Sequence, residues 1–518
     1  MIGELFLNFN RGRYRILHLT WFAFFLSFVV WFNFAPFSTA IQADFGLEIG
    51  QIRTIAICNV ALTVPARIII GMLLDKYGPR ITYSLLLIYA AIPCLTFALA
   101  QNFSQLVLSR LALSIVGAGF VIGIRMVAEW FPPKEIGLAE GVYGGWGNFG
   151  SAAAAFTLPT IAGWVAFGAV NPVTGEAMLN WRMAIAATGI FAAVYGVIYF
   201  FNVKDTPQGK VYQRPNRAGG IEVTTQKDFW LLLAMNVPLI GILALLAWRL
   251  NKVGFLNPTA LYITWAFLAG LYLFQAYGCW EANKDLMTGK KHYTPEDRYN
   301  FSQVAILELT YVVNFGSELA VVSMLPAFFE GTFDLSKQAA GMIAASYAFM
   351  NLMSRPGGGL ISDKLGSRKN TMAILTAGMA LGYLMMSMVS GAWFLPLAVL
   401  LTMTCSFFVQ AAEGSTFAIV PLVKRRITGQ IAGNVGAYGN VGAVAYLTLF
   451  SLLPDWGFAG AAGNRIFFQT LGVSGMIVAF LCWFILKEPK GSFSEHHEGE
   501  EDYIHPPSFE EKIEESLS

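Results

Sequence analysis

One short sequence occurs twice in this chain, as Gly71-Met-Leu-Leu-Asp75-Lys-Tyr-Gly78-Pro-Arg80 and as Gly359-Leu-Ile-Ser-Asp363-Lys-Leu-Gly366-Ser-Arg368. The copies are 288 residues apart (359 − 71), and the same offset separates Arg67 from Arg355, each of which precedes its copy within a long apolar stretch. A charge in hydrocarbon is costly and usually marks a transport pathway or a binding site. Because two cations cannot neutralise each other, they need a shared anion or nearby acidic partners.

The composition indicates a membrane protein. Of 518 residues, 56% are hydrophobic and only 13% are charged, and the mean hydropathy is +0.55. The net charge of +2 gives no bulk basic signal for a nucleic-acid partner. The sequence has no phosphate-binding loop, metal-ligand spacing or nucleophile–base arrangement, so we expect no enzyme, no cofactor and no metal site. The five cysteines lie in apolar runs and are expected to be small buried hydrophobes.

Apolar runs predict an all-α polytopic membrane protein with two sets of six helices. The first set is Leu17–Phe37, Thr54–Leu74, Ile81–Ala100, Leu106–Phe131, Gly137–Ala166 and Ala184–Phe201. The second set is Gln303–Phe329, Ala339–Leu360, Thr371–Val389, Trp393–Val420, Thr428–Leu453 and Ile466–Leu486. Between the sets, Phe229–Trp248 and Thr259–Trp280 are long enough to span the membrane as well, giving 14 helices, or to lie partly in its interface.

The predicted domains are therefore a first six-helix bundle (1–203), a linker with two extra helices (204–301), a second six-helix bundle (302–487) and an acidic tail (488–518). An added helix pair keeps both halves in the same orientation, as parallel repeats require. Lysines and arginines then concentrate on one side, which predicts a plasma-membrane protein with both termini cytoplasmic. The tail has too little apolar surface to fold alone, and a contact with a regulatory partner is the alternative.

The duplicated phrase resembles the loop motif that the major facilitator superfamily carries after helices 2 and 8 of its twelve-helix core. The resemblance implies a major facilitator fold of two six-helix bundles and a transporter that works by alternating access. It also implies that four charged residues belong to the cytoplasmic gate and hold the two halves together when that side is closed: Asp75, Arg80, Asp363 and Arg368.

A second duplicated sequence lies in the predicted fifth and eleventh helices of the core. It reads Gly141-Val-Tyr-Gly144-Gly-Trp-Gly147-Asn148-Phe-Gly150 and, 292 residues later, Gly433-Asn-Val-Gly436-Ala-Tyr-Gly439-Asn440-Val-Gly442. It resembles the glycine-rich nitrate signature of the nitrate/nitrite porter family, most closely that of bacterial, cyanobacterial-type permeases. The glycines could equally serve close helix packing, without touching a substrate.

The resemblance implies substrate contacts for Arg67, Phe120, Gly144, Asn148, Tyr311, Phe315 and Arg355. The internal repeat adds Phe408, 288 residues after Phe120, and Asn440, 292 residues after Asn148. Arg67 precedes Asp75 by eight residues, which places it about 12 Å deeper and near the membrane centre. A planar guanidinium presents a fork of donors suited to a flat oxyanion such as nitrate or nitrite, while phenyl rings can sandwich its plane.

Other charges lie in apolar surroundings. Arg125 and Glu413 are 288 residues apart, and we expect them either to pair across the halves as a gate or tie, or to include a carboxylate that carries a coupling proton. Glu129 and Glu318 are also in apolar surroundings. Moving a monovalent anion into a negative interior costs about 2.3 kcal/mol per 100 mV, so the transporter must co-transport protons, exchange nitrate for another anion, or run downhill.

The sequence therefore favours uptake of nitrate and nitrite, with proton symport ahead of nitrate/nitrite exchange. A facilitator carrying another small anion is the alternative within the same class. A nitrate sensor that binds without translocating is the alternative from a different class, and the acidic tail is its only support in the sequence.

Overall fold

The structure, a computed structural model, describes residues 12–170, 179–215, 220–252, 254–295 and 297–495. It is all-α over this range, in agreement with the sequence prediction. Of the predicted acidic tail from residue 488, everything after Glu495 lies outside the described residues.

Among the described residues, the first half of the chain forms nine α-helices. They are α1 (Gly12–Phe32), α2 (Ser38–Phe45), α3 (Ile49–Ala61), α4 (Thr63–Tyr77), α5 (Pro79–Ala98), α6 (Phe103–Leu113), α7 (Gly119–Trp130), α8 (Ile136–Trp164) and α9 (Trp181–Asn202). A 3₁₀ turn, Ser114–Ala118, joins α6 to α7. Within this half α1 packs on α8, and α5 packs on α9.

The second half repeats this arrangement. Its helices are α12 (Phe301–Val313), α13 (Phe315–Phe333), α14 (Lys337–Phe349), α15 (Asn351–Lys364), α16 (Arg368–Met386), α17 (Leu395–Val423), α18 (Thr428–Leu452) and α19 (Gly460–Phe484). The two halves meet where α4 packs on α18 and α8 packs on α15. These four helices carry the duplicated sequences, so the two repeats contact each other crosswise.

Two further helices, α10 (Gln226–Lys252) and α11 (Pro258–Met287), lie between the halves in the sequence. They pack on each other, and α10 also contacts α3, α12 and α18. Among the described residues, eleven helical segments are long and apolar enough to cross a membrane, and both extra helices are among them. The α8 helix, the α14–α15 segment and α16 are not among the eleven, so the total of 14 spans stays a prediction.

Several predicted continuous helices are broken at one level. α3 ends before Leu62 and α14 ends before Met350, again 288 residues apart (350 − 62). The predicted helix over Gln303–Phe329 is divided at Asn314, whose side-chain Oδ1 accepts from the amide of Phe315 at 2.7 Å. A buried asparagine that caps the following segment explains this break. The breaks lie next to the candidate site residues, and the helices predicted from the sequence were continuous across all of them.

The two halves are closed together at one face of the bundle. Arg13, at the start of α1, pairs with Glu135 at 2.9 Å, and the amide of Lys134 donates to the carbonyl of Ser494, beyond the last helix. We call this the terminal face and the opposite one the far face. Near the terminal face, a Cβ on Gly71 or on Gly359 would overlap the backbone of the other half. Glycine is therefore required for these backbones to touch.

At the far face the halves separate and leave a cavity of about 520 Å³. It extends inward from Pro36 and Pro326 to Asn148, Phe315 and Glu318. The structure therefore closes the terminal face while the far face keeps an opening that leads to the centre of the bundle.

The cysteine prediction is confirmed, because all five side chains are buried and none forms a disulfide: Cys58, Cys94, Cys279, Cys405 and Cys482.

Candidate substrate site

The two repeat-related arginines meet at the centre of the bundle. Arg67 is fully buried; its Nε donates to the carbonyl of Gly117 at 3.3 Å, and its Nη1 donates to the carbonyl of Gly436. Arg355 is 2% exposed, and its Nη1 donates to the carbonyl of Gly144 at 3.3 Å. Gly436 and Gly144 are equivalent in the glycine-rich repeat (436 − 144 = 292). Each arginine thus crosses to the glycine-rich helix of the opposite half.

Two phenyl rings lie beside both guanidinium groups. The central carbon of Arg67 is 5.5 Å from the ring centroids of both Phe120 and Phe315. The same carbon of Arg355 is 5.6 Å from the Phe120 centroid and 5.7 Å from the Phe315 centroid. These nearly equal distances show that two cations and two aromatic rings surround one point, with the rings placed for cation–π contact.

Tyr311 completes this arrangement. Its ring lies 6.0 Å from Phe120 and 5.0 Å from Phe315, with interplanar angles of 4° and 3°. Its hydroxyl accepts from Nη2 of Arg355 at 3.1 Å. The three rings are close to parallel, so Tyr311 is stacked against both phenyl rings beside the arginines. Parallel aromatic faces favour a planar guest over a tetrahedral one.

Two buried asparagine amides add polar atoms without partners. Asn148 is 4% exposed and lines the far-face cavity, while Asn440 is fully buried. Within the described part of the chain, Oδ1 of Asn148 and both amide atoms of Asn440 have no hydrogen-bond partner. Because buried polar groups are normally hydrogen-bonded, this pattern favours a polar ligand at this level.

The structure places Phe408 away from the site, so its predicted role in substrate binding is corrected. Its ring packs against Gly378 on α16 and against Phe407 at 5.6 Å. Phe417 occupies the expected place instead, with its centroid 4.6 Å from Phe120 and 4.9 Å from Tyr311.

The offset of 288 does not hold at α17, and this explains the error. Gly117 and Phe120 correspond to Gly414 and Phe417 at an offset of 297 (414 − 117 and 417 − 120). The shared Gly-x-x-Phe spacing was the signal in the sequence that could have found Phe417.

The predicted pairing of Arg125 with Glu413 across the halves is also wrong. Glu413 forms a buried ion pair with Arg355, within the second half. Arg125 pairs with Glu129 at 2.8 Å and lies 3.8 Å from Asp75, within the first half. Arg355 therefore has an acidic partner, whereas the contacts of Arg67 are carbonyl groups and rings.

Asp75 joins the halves at the terminal face. Its carboxylate accepts from the backbone amides of Gly429 and Gln430, both at 2.9 Å, at the start of α18. A carboxylate at a helix N-terminus is stabilised by unsatisfied amides and by the helix dipole. The ion pair of Glu129 with Arg425, at 3.0 Å, adds a second connection between the halves on this side.

Asp363 repeats this contact in the second half. It accepts from the amides of Gly137 at 3.0 Å and Leu138 at 2.7 Å, at the start of α8. Arg368 pairs with Asp363 at 2.8 Å and also donates to the carbonyl of Pro133 at 2.6 Å, across the halves. Its counterpart Arg80 does not cross, because its guanidinium lies 4.7 Å over the ring of Phe200 in its own half.

The linker is held to the terminal face by charged side chains. Asp297 accepts from Nη1 of Arg426 at 2.9 Å and pairs with Lys424. Burial opposes its ionisation, but the hydrogen bonds from Lys424 and Arg426 outweigh burial and hold the pKa of Asp297 below its usual value. The segment after α11 is thus attached to the α17–α18 loop. No group of three potential metal ligands occurs among the residues that the structure describes.

Solved structures show the same fold. The proton:xylose symporter XylE has a TM-score of 0.60 at 15% identity, covering 92% of this chain and 97% of that one. The human organic anion transporter MFSD10 has a TM-score of 0.57 at 14% identity, covering 91% of this chain and 100% of that one. Two helical bundles that meet around a central buried site, closed at one face and open at the other, define a membrane transporter of the alternating-access class.

The chain belongs to the Major Facilitator Superfamily, whose model matches residues 20–283 and 307–513. It is 69% identical to the nitrate/nitrite transporter NrtP of Picosynechococcus sp. (strain ATCC 27264 / PCC 7002 / PR-6), over 99% of both chains. It is 57% identical to NrtP of Nostoc punctiforme, over 96% of this chain and 97% of that one. The high-affinity nitrate transporter 2.3 of Oryza sativa subsp. japonica is 29% identical, over 86% and 73% respectively. The predicted family and transporter class are confirmed.

Proposed function

We propose that this chain takes up nitrate and nitrite across the plasma membrane by alternating access, with the anion bound between Arg67 and Arg355. The observation that carries this proposal is that both guanidinium carbons lie 5.5–5.7 Å from the rings of both Phe120 and Phe315. The names of the cyanobacterial relatives supply the substrate class.

Nitrate fits the chemistry of this site. It is flat and permanently charged near neutral pH, so it matches a flat aromatic space with cations at its edges. Arg67 supplies an unneutralised charge, since its described contacts are to neutral groups. The orphaned amide nitrogen of Asn440 supplies a further donor, and the amide nitrogen of Asn148, on the wall of the far-face cavity, can supply another. An organic anion of larger volume would need the rings to separate.

The terminal face corresponds to the cytoplasm in this proposal, with both termini on that side and 14 membrane crossings in total. Support comes from basic loop residues near this face, such as Lys134, Lys424 and Arg425, which follow the positive-inside rule. The far-face cavity then faces outward, so the structure represents an outward-oriented carrier with Asp75 and Asp363 closing the cytoplasmic side.

The described start of the tail lies against the terminal face. The carbonyl of Ser492 accepts from Arg368 at 3.1 Å, and Lys134 pairs with Glu495 at 2.8 Å. We propose that the tail is the place where a regulatory partner acts. Deleting residues after 491 should then leave initial transport intact and remove its regulation in cells; unchanged regulation would exclude this role.

The proposed function is tested with purified protein in liposomes. With a proton gradient, inside alkaline, we expect accumulation of labelled nitrate that a protonophore abolishes, and competition by nitrite. Nitrate/nitrite exchange with no response to the proton gradient would support the antiport alternative, and competition by formate or chlorate alone would support another small anion. Binding of nitrate with no translocation would support the sensor and overturn the proposal.

A further inference from the structure

Two carboxyl groups lie beside the arginine pair. Glu413 on α17 is fully buried against Arg355, and Glu318 on α13 is 4% exposed and lines the far-face cavity. Nε2 of Gln410 donates to Oε1 of Glu318 at 3.1 Å, and Asn351 donates to the same oxygen. Glu318 therefore connects the cavity to the buried ion pair.

The oxygens between these two carboxyl groups have no ordinary donor. Apart from the ion pair with Arg355, neither oxygen of Glu413 nor Oε2 of Glu318 has a hydrogen-bond donor among the described residues. Gln410, which donates to Glu318, precedes Glu413 by three residues on α17, so the two carboxyl groups adjoin the same face of that helix. Two ionised carboxylates in close proximity repel, whereas one shared proton converts the repulsion into a hydrogen bond.

The surroundings contribute few other charges. Arg355 faces Glu413 from α15, and Tyr311 faces it from α12. Tyr347 on α14 and Tyr383 on α16 face Glu318, and Arg67 on α4 faces Arg355. Glu140 on α8, which packs against α15 and α17, is a further buried carboxyl group, but no charged group acts on it in the described structure. The charge balance of the centre is therefore set by two arginines and two glutamates.

Counting these charges shows why anion binding requires a proton. With both glutamates ionised the four groups sum to zero (+2 − 2), so a monovalent anion would leave a buried charge of −1. With one glutamate protonated the sum is +1, and the anion restores neutrality. Net charge in a low-dielectric interior is costly, so the protonated state binds the anion more tightly.

We propose that Glu318 and Glu413 form the proton-binding site that couples anion uptake to the proton gradient. This inference rests on the proposed function and names its coupling residues. A proton from the far-face cavity binds Glu318 and passes to Glu413, which becomes neutral and releases Arg355 to bind the anion. After the opening changes sides, the anion leaves, the proton leaves Glu413 to water, and the Arg355–Glu413 ion pair re-forms.

The re-formed ion pair also has a function in the empty carrier. With both glutamates ionised again, the four groups sum to zero (+2 − 2), which makes the empty, deprotonated site tolerable during the return step. Arg355 thus pairs with Glu413 in the empty carrier and with the anion in the loaded carrier. The net charge at the centre is therefore similar in both states.

The test uses Glu318→Gln and Glu413→Gln in liposomes, since glutamine imitates a protonated glutamate permanently. Both variants should exchange labelled for unlabelled nitrate, yet lose accumulation driven by a proton gradient. Nitrate Kd of the wild type should rise about tenfold per pH unit above the titration of the pair, and this slope should vanish in the variants. Glu308→Gln is the matched control, because Glu308 is 1% exposed on α12 with no charged group acting on it in the described structure.

The outcomes separate the two proposals. If the wild type neither accumulates nor exchanges nitrate, the proposed function fails. If the wild type does both and the glutamine variants still accumulate nitrate against its gradient, the coupling role is overturned. Loss of nitrate binding in both folded variants would also overturn it, because a neutral side chain at these positions should favour the anion.

Discussion

Nη1 of Arg67 donates to the carbonyl of Gly436, which stands on the glycine-rich helix of the opposite half. Arg355 makes the reciprocal contact with Gly144. Each half thus supplies a cation to the backbone of the other, and the two crossings place both guanidinium groups beside the same pair of phenyl rings. The interface between the halves and the candidate substrate site share these residues. A substitution that alters the packing of the halves should therefore also alter substrate binding.

Replacing either central arginine by lysine should weaken nitrate affinity by about 10- to 100-fold, the effect of losing one or two charge-assisted hydrogen bonds. A lysine ammonium keeps the charge but cannot hold the glycine carbonyl and the anion through one planar fork. The KM for uptake by Arg67→Lys and Arg355→Lys measures this. Arg110→Lys is the control, because buried Arg110 donates to Asn33 at 2.9 Å and should affect thermal stability only. Wild-type KM in both central variants would contradict the site.

Adding a methyl group to Gly144 or Gly436, whose carbonyls accept from the central arginines, should displace the arginine side chains. A Cβ on Gly144 would lie 3.2 Å from Nη1 of Arg355, and one on Gly436 would lie 3.2 Å from Cδ of Arg67. Overpacking of this size costs about 1–3 kcal/mol, so we expect Gly144→Ala and Gly436→Ala to raise KM about tenfold or more. Gly241→Ala on α10, which has open space around it, should leave KM unchanged. Equal uptake kinetics in all three variants would show that the arginines do not depend on this contact.

Neutralising the gate carboxylates should open the terminal face. Asp75→Asn and Asp363→Asn each remove a charge at a helix N-terminus of the opposite half, worth about 1–2 kcal/mol. The closed state should therefore lose about 5- to 30-fold in population. A cysteine at buried Ala432 on α18, in a background without other cysteines, should then react faster with an impermeant maleimide from the terminal side. Asp228→Asn, at the start of α10, serves as the control, and equal labelling rates would exclude the gate role.

The two phenylalanines of α17 should behave differently. Phe417→Ala removes the ring that packs edge-on against Phe120 and Tyr311, so the aromatic space should loosen and KM should rise about tenfold. Phe408→Ala should lower thermal stability by about 2–4 kcal/mol and leave KM unchanged, because its ring packs against Gly378. Thermal unfolding and uptake kinetics of both variants distinguish packing from substrate contact. A KM effect at Phe408 instead of Phe417 would reverse the assignment.

Local sequence was sufficient for much of the site. The duplicated phrases located Arg67, Arg355, Asp75 and Asp363, because a helix end and a buried charge are marked by neighbouring residues. The cross-half contacts of both aspartates follow from carboxylates placed opposite glycine-rich helix starts. The helix breaks at Leu62 and Met350 escaped the prediction, because apolar runs on either side of a break read as one continuous helix.

The remaining errors came from assuming one register for the whole repeat. The offset changes from 288 at α15 to 297 at the Gly414–Phe417 turn of α17, so the rule pointed to Phe408 instead of Phe417. The same assumption paired Arg125 with Glu413. In the structure Arg125 lies near the terminal face and Glu413 lies at the centre. At the offset of 297 the counterpart of Arg125 is Leu422 (125 + 297), nine residues after Glu413 on α17.

The sequence by itself determined that this chain is a duplicated membrane bundle with a buried arginine in each half, since hydropathy and repeated motifs are local properties. The tertiary structure decided which charge neutralises which, giving Arg355 an acidic partner and leaving Arg67 among carbonyl groups and rings. Ion pairing depends on the axial shift and rotation of packed helices over distances of a few ångströms, and no linear offset records those displacements.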